Sequence, residues 1–360
     1  MKNMIDYIIS EGQESFESLP FNQGDSLVFA QLAYFNYYFV TAEKKLKFAD
    51  IRNDEMIEKM VKATWNEEAN RQLLNHLIKS ERFKEVEIIN PLSILDASEE
   101  QQFAAVTFKL SPRRYCIAYR GTTSTFVGWK ENFNMSYLEI LPSQTSALNY
   151  YEKSQGEFPG AYYLVGHSKG GNLATYVGTV ATEQSQKNLL AVYNFDGPGL
   201  QIPEHGSANH RKIKKFIPSA SIIGILFEEE QNFLIAKSNK IGIFQHDLFS
   251  WELTEDNSIA LATQLSWSAL YAQRVSLSLL SSIDLETKRE FLDSLYAISI
   301  QLGTPNLAEG LKPDLKNIEI IYRGLKNTDK HVRQSWRLVL KLLIATSLQS
   351  GFTKNDDKVS

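Results

Sequence analysis

Residues 162–178, YYLVGHSKGGNLATYVG, decide the fold of this chain. An apolar segment runs into GHSKG at 166–170, which has the pattern G-x-S-x-G, and an amphipathic segment follows. This order predicts a sharp turn between a strand and a helix, with Ser168 at its tip and small residues two positions to either side. A helix starting there directs free N–H groups and the positive end of its dipole at the turn. The pattern therefore predicts Ser168 as a nucleophile, and a purely structural turn is the alternative.

Strand-like and helix-like segments alternate between about residues 85 and 250, which predicts a mainly parallel sheet covered by helices. The segments 102–110 and 114–121 are separated by SPRR, which predicts a hairpin and makes the sheet mixed. NFLIAKSN at 232–239 and GIFQHD at 242–247 are the predicted last strands. The predicted fold class is α/β, an α/β-hydrolase fold with a mixed, mainly parallel sheet flanked by helices, N-terminal helices and a C-terminal helical extension.

The periodicity also predicts the domain organisation. Residues 1–260 are expected to form the α/β-hydrolase domain, with a mostly helical lead-in over 1–80 that includes a helix capped by Asp25. Helical spacing over 261–350 predicts a helical extension. The polar residues 351–360 are expected to be disordered.

Composition excludes several classes of protein. The 360 residues carry a net charge of −4, with 43% apolar and 22% charged residues, so nucleic acid is not an expected partner. Cys116 is the one cysteine, which rules out an internal disulfide, and it is predicted to be a small buried apolar residue. No transmembrane segment or secretory signal is recognised, and a cytoplasmic location is expected. No metal-binding or nucleotide-binding motif occurs, so no cofactor is implied.

A serine nucleophile needs a base, which is usually histidine and follows the nucleophile in α/β-hydrolase chain order. His246 comes at the end of the last predicted strand and is the predicted base. His205 and His210 flank a loop and stay alternatives. His331 is expected on the solvated face of a C-terminal helix.

The acid is predicted from its place after a strand. Asp196 ends the strand that follows the helix after Ser168, so it is the predicted acid, with a capping role in the turn as the alternative. Asp247 adjoins His246, but neighbouring side chains seldom point at each other. The run Glu228–Glu230 is typical of a solvated face.

An oxyanion hole needs two N–H donors. The backbone N–H of Lys169, directly after the nucleophile, is the first predicted donor. Thr122 follows an early strand, and Gly121 before it permits a close turn, so Thr122 is the second. The Lys169 side chain is expected at the surface, with attraction of anionic substrates as the alternative. The side chain of His167 is expected to point away from Ser168.

Several separated motifs resemble those of the Mbeg1-like family of α/β hydrolases, which is similar to class 3 lipases. The resemblance covers most of the chain and includes FESLPFNQGDSLVFAQLAY at 16–34, AYRGTTSTFVGWKENFNMSY at 118–137, VGHSKGGNLA at 165–174, YNFDGPG at 193–199 and QHDLFSW at 245–251. It implies Ser168 as nucleophile, Thr122 as an oxyanion-hole residue and His246 as base.

The chain departs from the class 3 lipase pattern at the acid. Those lipases usually carry it one strand later, where this chain has Ser219 and Ser221. The FGSP-like position reads FDGP, which puts Asp196 one strand earlier.

The predicted function is hydrolysis of a carboxylic ester, from a small molecule or a lipid, through an acyl-enzyme on Ser168. His246 would act as general base and then general acid, Asp196 would orient it, and the N–H groups of Thr122 and Lys169 would hold the oxyanion. A hydrolase fold kept as a silent binding or scaffold protein is one alternative. An amidase or peptidase with the same triad is another. An acyl pocket could include three aromatic residues that are more typical of a core: Phe126, Trp129 and Phe133.

Overall fold

The computed structural model describes most of the first 274 residues and few beyond them. The described ranges are 2–40, 45–123, 125–136, 138–202, 210–228, 232–267, 269–271 and 273–274, with single positions at 284, 286, 287, 289, 330 and 333. The predicted helical extension at 261–350 lies mostly outside these residues, and the predicted disordered tail at 351–360 lies wholly outside them. The domain boundaries therefore stay a prediction.

The chain divides into two compact units. The first contains Met1–Ile94, Phe103–Gly121 and Ser143–Ser266. The second contains Leu95–Gln102, Thr122–Pro142 and Trp267–Ser360.

Eight strands form one sheet, in which they follow each other in chain order. β1 pairs antiparallel with β2, and β3 pairs antiparallel with β4, whereas each neighbouring pair from β4 to β8 is parallel. The sheet is thus mixed and mainly parallel, which confirms an α/β architecture. The strands are β1 Leu46–Lys47, β2 Glu87–Asp96, β3 Gln101–Ser111, β4 Arg114–Tyr119, β5 Ala161–His167, β6 Leu189–Phe195, β7 Ile213–Pro218 and β8 Leu234–Ala236.

Eight α-helices accompany the strands in the described part of the chain. They are α1 Met4–Glu11, α2 Gln23–Leu32, α3 Asp54–Val61, α4 Glu67–Leu77, α5 Phe126–Asn134, α6 Pro142–Glu157, α7 Lys169–Val180 and α8 Glu183–Lys187. The predicted helical lead-in corresponds to α1 to α4. α5 lies in the segment that follows β4 and Gly121. None of the described helices is long and apolar enough to cross a membrane.

Side chains of β4 alternate between the two faces of the sheet. Cys116 and Ala118 pack into a cluster with apolar residues of α1 to α4, and Cys116 is fully buried, as predicted. Ile117 and Tyr119 pack into a second cluster with residues of α6 and α7. This period of two places helices on both faces, so the ends of the parallel strands are left to carry polar side chains.

Two local predictions are wrong. Asn22 caps α2 and Asp25 occupies the third helical position, where its carboxylate accepts the Asn22 N–H in a capping box. The segment Gly242–His246 is a 3₁₀-helix and not a strand. Gly242 has a φ of +57°, which is incompatible with a regular strand, and the neighbouring apolar side chains are exposed and cover no sheet.

Candidate active site

Ser168 occupies the turn between β5 and α7 in a strained backbone conformation. Its φ is +56° and its ψ is −131°, values that a non-glycine residue adopts only where the surroundings enforce them. The Ser168 N–H donates to the Phe195 carbonyl at 2.9 Å, and the Ser168 carbonyl accepts from the Gly171 N–H at 2.9 Å. The serine is therefore held at the tip of the turn, partly exposed to solvent.

Close backbone approaches explain two glycines of the motif. A Cβ on Gly166 would overlap the Gly170 carbonyl group, and a Cβ on Gly170 would overlap the Tyr119 carbonyl oxygen. Any side chain at either position would force the turn open. The G-x-S-x-G spacing thus has a steric cause in the packing of β4, β5 and α7.

Asp196 lies beside Ser168 at the carboxyl edge of the sheet. β5 and β6 are parallel and pair His167 with Phe195, so the next residue on each strand leaves the sheet at the same edge. Asp196 has a φ of +52°, its N–H donates to the Phe216 carbonyl at 2.8 Å, and its side chain is only 1% exposed.

His246 is the partner of this buried carboxylate. The His246 Nδ1–H donates to Asp196 Oδ2 at 2.6 Å. The other carboxylate oxygen accepts from the Ser221 hydroxyl and from the Gly224 N–H at 3.1 Å. These three donors orient the carboxylate and leave the histidine, whose side chain is 33% exposed, with its Nε2 free of Asp196.

Gln245 anchors the turn that carries His246. Its buried side chain accepts from the Ala220 N–H at 2.8 Å and donates to the Lys240 carbonyl at 2.9 Å. Its backbone carbonyl accepts from the Trp251 indole at 2.8 Å. Hydrogen bonds of the Gln245 side-chain amide and of its backbone carbonyl therefore position the neighbouring His246.

His167 packs against His246, with ring centroids 4.3 Å apart. Its Nδ1 hydrogen-bonds the Tyr34 hydroxyl at 2.9 Å, and its buried Nε2 has no hydrogen-bond partner among the described residues. Burial lowers the pKa of His167 well below its usual range, and the neighbouring His246 lowers it further. His167 is thus neutral near pH 7 and adds no positive charge beside His246.

The predicted oxyanion donors are described in part. A Cβ on Gly121 would lie 3.2 Å from the Ser168 Cβ, so the backbone just before Thr122 passes against the serine. The Thr122 hydroxyl donates to Asn132 at 2.7 Å within the second unit. The Lys169 side chain is 1% exposed, which contradicts the expected surface position. The roles of both N–H groups stay predictions.

The other candidate carboxylates have different partners. Asp247 accepts the Phe249 N–H at 3.1 Å and caps a short 3₁₀-helix. Glu228 is buried in an ion pair with Lys215, so the expectation of a solvated side chain is wrong there. Several candidate side chains lie outside the described residues: His205, His210, His331, Glu229, Glu230, Phe126, Trp129 and Phe133.

Sequence reasoning missed four residues that organise the site. Ser221 was noted only as a departure from the lipase pattern, yet its hydroxyl binds Asp196. Gly224, Gln245 and Tyr34 had no assigned role. Tyr34 ends a segment, 16–34, that forms part of the family resemblance, which was the one available signal for it.

Within the described residues, no cluster of three or more histidine, cysteine, aspartate or glutamate side chains could hold a metal ion. The described site has a strained serine at the same edge of the sheet as a histidine–aspartate hydrogen bond. Such a set of side chains can move a proton and form a covalent bond without a cofactor.

Comparisons with known proteins were made for structure, curated relatives and family. A solved structure described as a crystal structure of M37 lipase matches with a TM-score of 0.34 and 14% identity, over 72% of this chain and 92% of that chain. No curated protein matches the sequence. The Mbeg1-like family model matches residues 77–297, which is more than half of the 360 residues and includes Ser168, Asp196 and His246. The chain therefore belongs to the Mbeg1-like family.

Proposed function

We propose that this protein is a serine hydrolase of α/β-hydrolase fold that cleaves carboxylic esters. The observation that carries the proposal is the 2.6 Å hydrogen bond from His246 to Asp196, at the edge of the sheet where the strained Ser168 follows β5. A structural turn would not need a buried carboxylate aligned with a partly exposed histidine. Strain at a serine that follows a strand is typical of a nucleophile.

In this proposal His246 removes the proton from the Ser168 hydroxyl as the oxygen attacks the ester carbonyl. Because Nδ1 is bound to Asp196, Nε2 is the nitrogen that accepts the proton. The imidazolium then donates that proton to the leaving alcohol, and an acyl-enzyme remains on Ser168. Water, deprotonated by His246, then attacks the acyl group, and the imidazolium returns the proton to the Ser168 oxygen as the acyl–serine bond breaks, which releases the acid and the free serine.

Electrostatic stabilisation would come from backbone groups. The carbonyl oxygen becomes negative during the attack, and the N–H groups of Lys169 and Thr122 would bind it. Lys169 is the first residue of α7, so the positive end of that helix dipole also faces the developing charge. Asp196 would stabilise the imidazolium without taking its proton.

A fluorophosphonate probe tests the nucleophile. We expect covalent labelling of the wild-type protein and none of Ser168→Ala, while Ser18→Ala, which changes an exposed serine, is labelled like wild type. Turnover of a soluble p-nitrophenyl ester should fall by up to about 10⁶ in Ser168→Ala, because a triad without its nucleophile retains little catalysis.

Three results would contradict parts of the proposal. Labelling that persists in Ser168→Ala would remove Ser168 as the nucleophile. Absence of labelling in the wild-type protein would favour a silent scaffold. Faster cleavage of the matched p-nitroanilide than of the ester would identify an amidase.

A further inference from the structure

Three large apolar side chains are exposed directly before His246. Ile241 is 82% exposed, Ile243 is 63% exposed and Phe244 is 61% exposed. Single exposed apolar residues are common on folded proteins, whereas three within four positions form a local patch. We call residues 241–244 the apolar turn.

The apolar turn is held in place and projects from the surface. The Gln245 side chain closes it by donating to the Lys240 carbonyl, and Gln245 is itself bound to Ala220 and Trp251. A Cβ on Gly242, at the tip of the turn, would meet no other atom within 4 Å, so the tip is surrounded by open space. The backbone of the apolar turn is thus held in place through Gln245, while its apolar side chains stay exposed.

Positive charge and a further aromatic residue accompany the turn. Lys237 and Lys240 are both exposed and precede it in the chain. The Asn66 side chain hydrogen-bonds the Asp247 carboxylate, and Trp65, the residue before Asn66, is 72% exposed. Apolar and aromatic side chains beside lysines are the combination that binds an anionic lipid–water interface.

We propose that the apolar turn docks this protein on an anionic lipid surface, with the catalytic-site edge of the sheet facing the lipid. A lipid surface needs no shape complementarity, which suits a projecting turn better than the concave fit of a protein partner. The lysines are complementary in charge to anionic headgroups. Because only Gln245 separates the turn from His246 in the chain, the surface would present its molecules to the site. That last step, with a lipid ester as substrate, rests on the proposed function, whereas the docking itself does not.

Vesicle sedimentation of the Ser168→Ala protein tests docking without turnover. We expect binding to phosphatidylcholine vesicles that contain phosphatidylserine, and weaker binding to phosphatidylcholine alone. The substitutions Ile243→Asp and Phe244→Asp should each reduce binding by about tenfold or more, because each places a charge where an apolar side chain enters the interface. Lys237→Gln combined with Lys240→Gln should remove only the preference for the anionic vesicles.

The matched control is Ile9→Asp, which replaces an apolar residue of α1 that is 58% exposed. It should bind vesicles like the parent protein, and thermal unfolding should verify that all variants remain folded. Equal binding by the turn variants and the parent would overturn the proposal. So would an equal loss of binding in Ile9→Asp, or a dimer in solution that Phe244→Asp abolishes, since the turn would then cover a second copy of the chain. Fluorophosphonate labelling without vesicles reports separately on the proposed function.

Discussion

Two buried aspartates of the first unit have opposite surroundings. Asp25 and its partner Arg82 both have side chains with 0% exposure, and Arg82 donates to both carboxylate oxygens, at 2.8 and 2.5 Å. Asp196 is equally buried, but its partner His246 is 33% exposed. The two carboxylates are alike in burial and differ in what they bind.

The partner decides what each pair can do. An arginine side chain stays protonated in proteins. The Arg82 guanidinium also donates to the backbone carbonyls of residues 14, 15 and 19, so this pair holds the N-terminal segment against the rest of the first unit. Histidine exchanges its proton near neutral pH. A buried carboxylate paired with a fully buried arginine therefore has a structural role, whereas a buried carboxylate paired with a partly exposed histidine can support proton transfer.

Replacing Asp196 should reduce esterase activity far more than replacing Asp25 or Arg82. We expect Asp196→Asn to fold normally and to lose roughly 10³–10⁴ of the esterase activity, because an amide cannot stabilise the imidazolium or hold the correct tautomer. The measurement is kcat on a soluble p-nitrophenyl ester, together with the urea unfolding curve.

Asp247→Asn is the matched control, because it makes the same change at the residue after His246. Asp247 caps the Phe249 N–H, which asparagine also does well, so activity should stay within a few-fold of wild type. Equal losses in the two variants would show that Asp196 has no special relation to His246.

Replacing Arg82 should affect stability and leave the chemistry intact. Arg82→Met leaves Asp25 buried without its ion pair and should lower the free energy of unfolding by about 3–5 kcal/mol. The double variant Asp25→Asn with Arg82→Met should recover part of that loss. Urea denaturation measures both, and fluorophosphonate labelling of the folded fraction should be unchanged. If Arg82→Met has the same free energy of unfolding as wild type, the Asp25–Arg82 pair does not stabilise the fold.

The smallest expected effect concerns His167, which is neutral and packs against His246. Its pKa is lowered in the folded protein, whereas in the unfolded chain it stays near 6.5. Below that pH the unfolded chain binds a proton that the fold excludes, so stability falls as pH falls, by up to about 1.4 kcal/mol for each pH unit.

We therefore expect His167→Gln to show a weaker loss of stability than wild type between about pH 7.5 and about pH 5.5 in urea denaturation. Ser168→Ala, which changes the adjacent residue without removing a titratable group, should keep the wild-type pH dependence. If His167→Gln and wild type lose stability in parallel, His167 is not the buried neutral histidine of this site.

Much of the fold follows from local patterns. Apolar strands and amphipathic helices around Ser168 predicted β5, α7 and the mainly parallel sheet, because burial on one face or both imposes a periodicity on the sequence. The same rule failed at 242–247, where apolar side chains are exposed and their pattern imitates a strand. The N-cap assigned to Asp25 was wrong for a local reason, since Asn22 caps α2 and Asp25 completes its capping box from the third helical position. The buried ion pair of Asp25 with Arg82, 57 residues away, leaves no local signal.

The sequence by itself determined the Ser168 turn, since the glycines, the strand and the helix that it requires are all local. Chain order also proposed Asp196 and His246 for their roles, which stay predictions. Only the tertiary structure decided that these two side chains meet, that Ser221 and Gly224 hold the carboxylate, and that His167, which is bound to Tyr34, packs against His246. The physical reason is that hydrogen-bond geometry and burial depend on distances between segments far apart in the chain, which no local periodicity encodes.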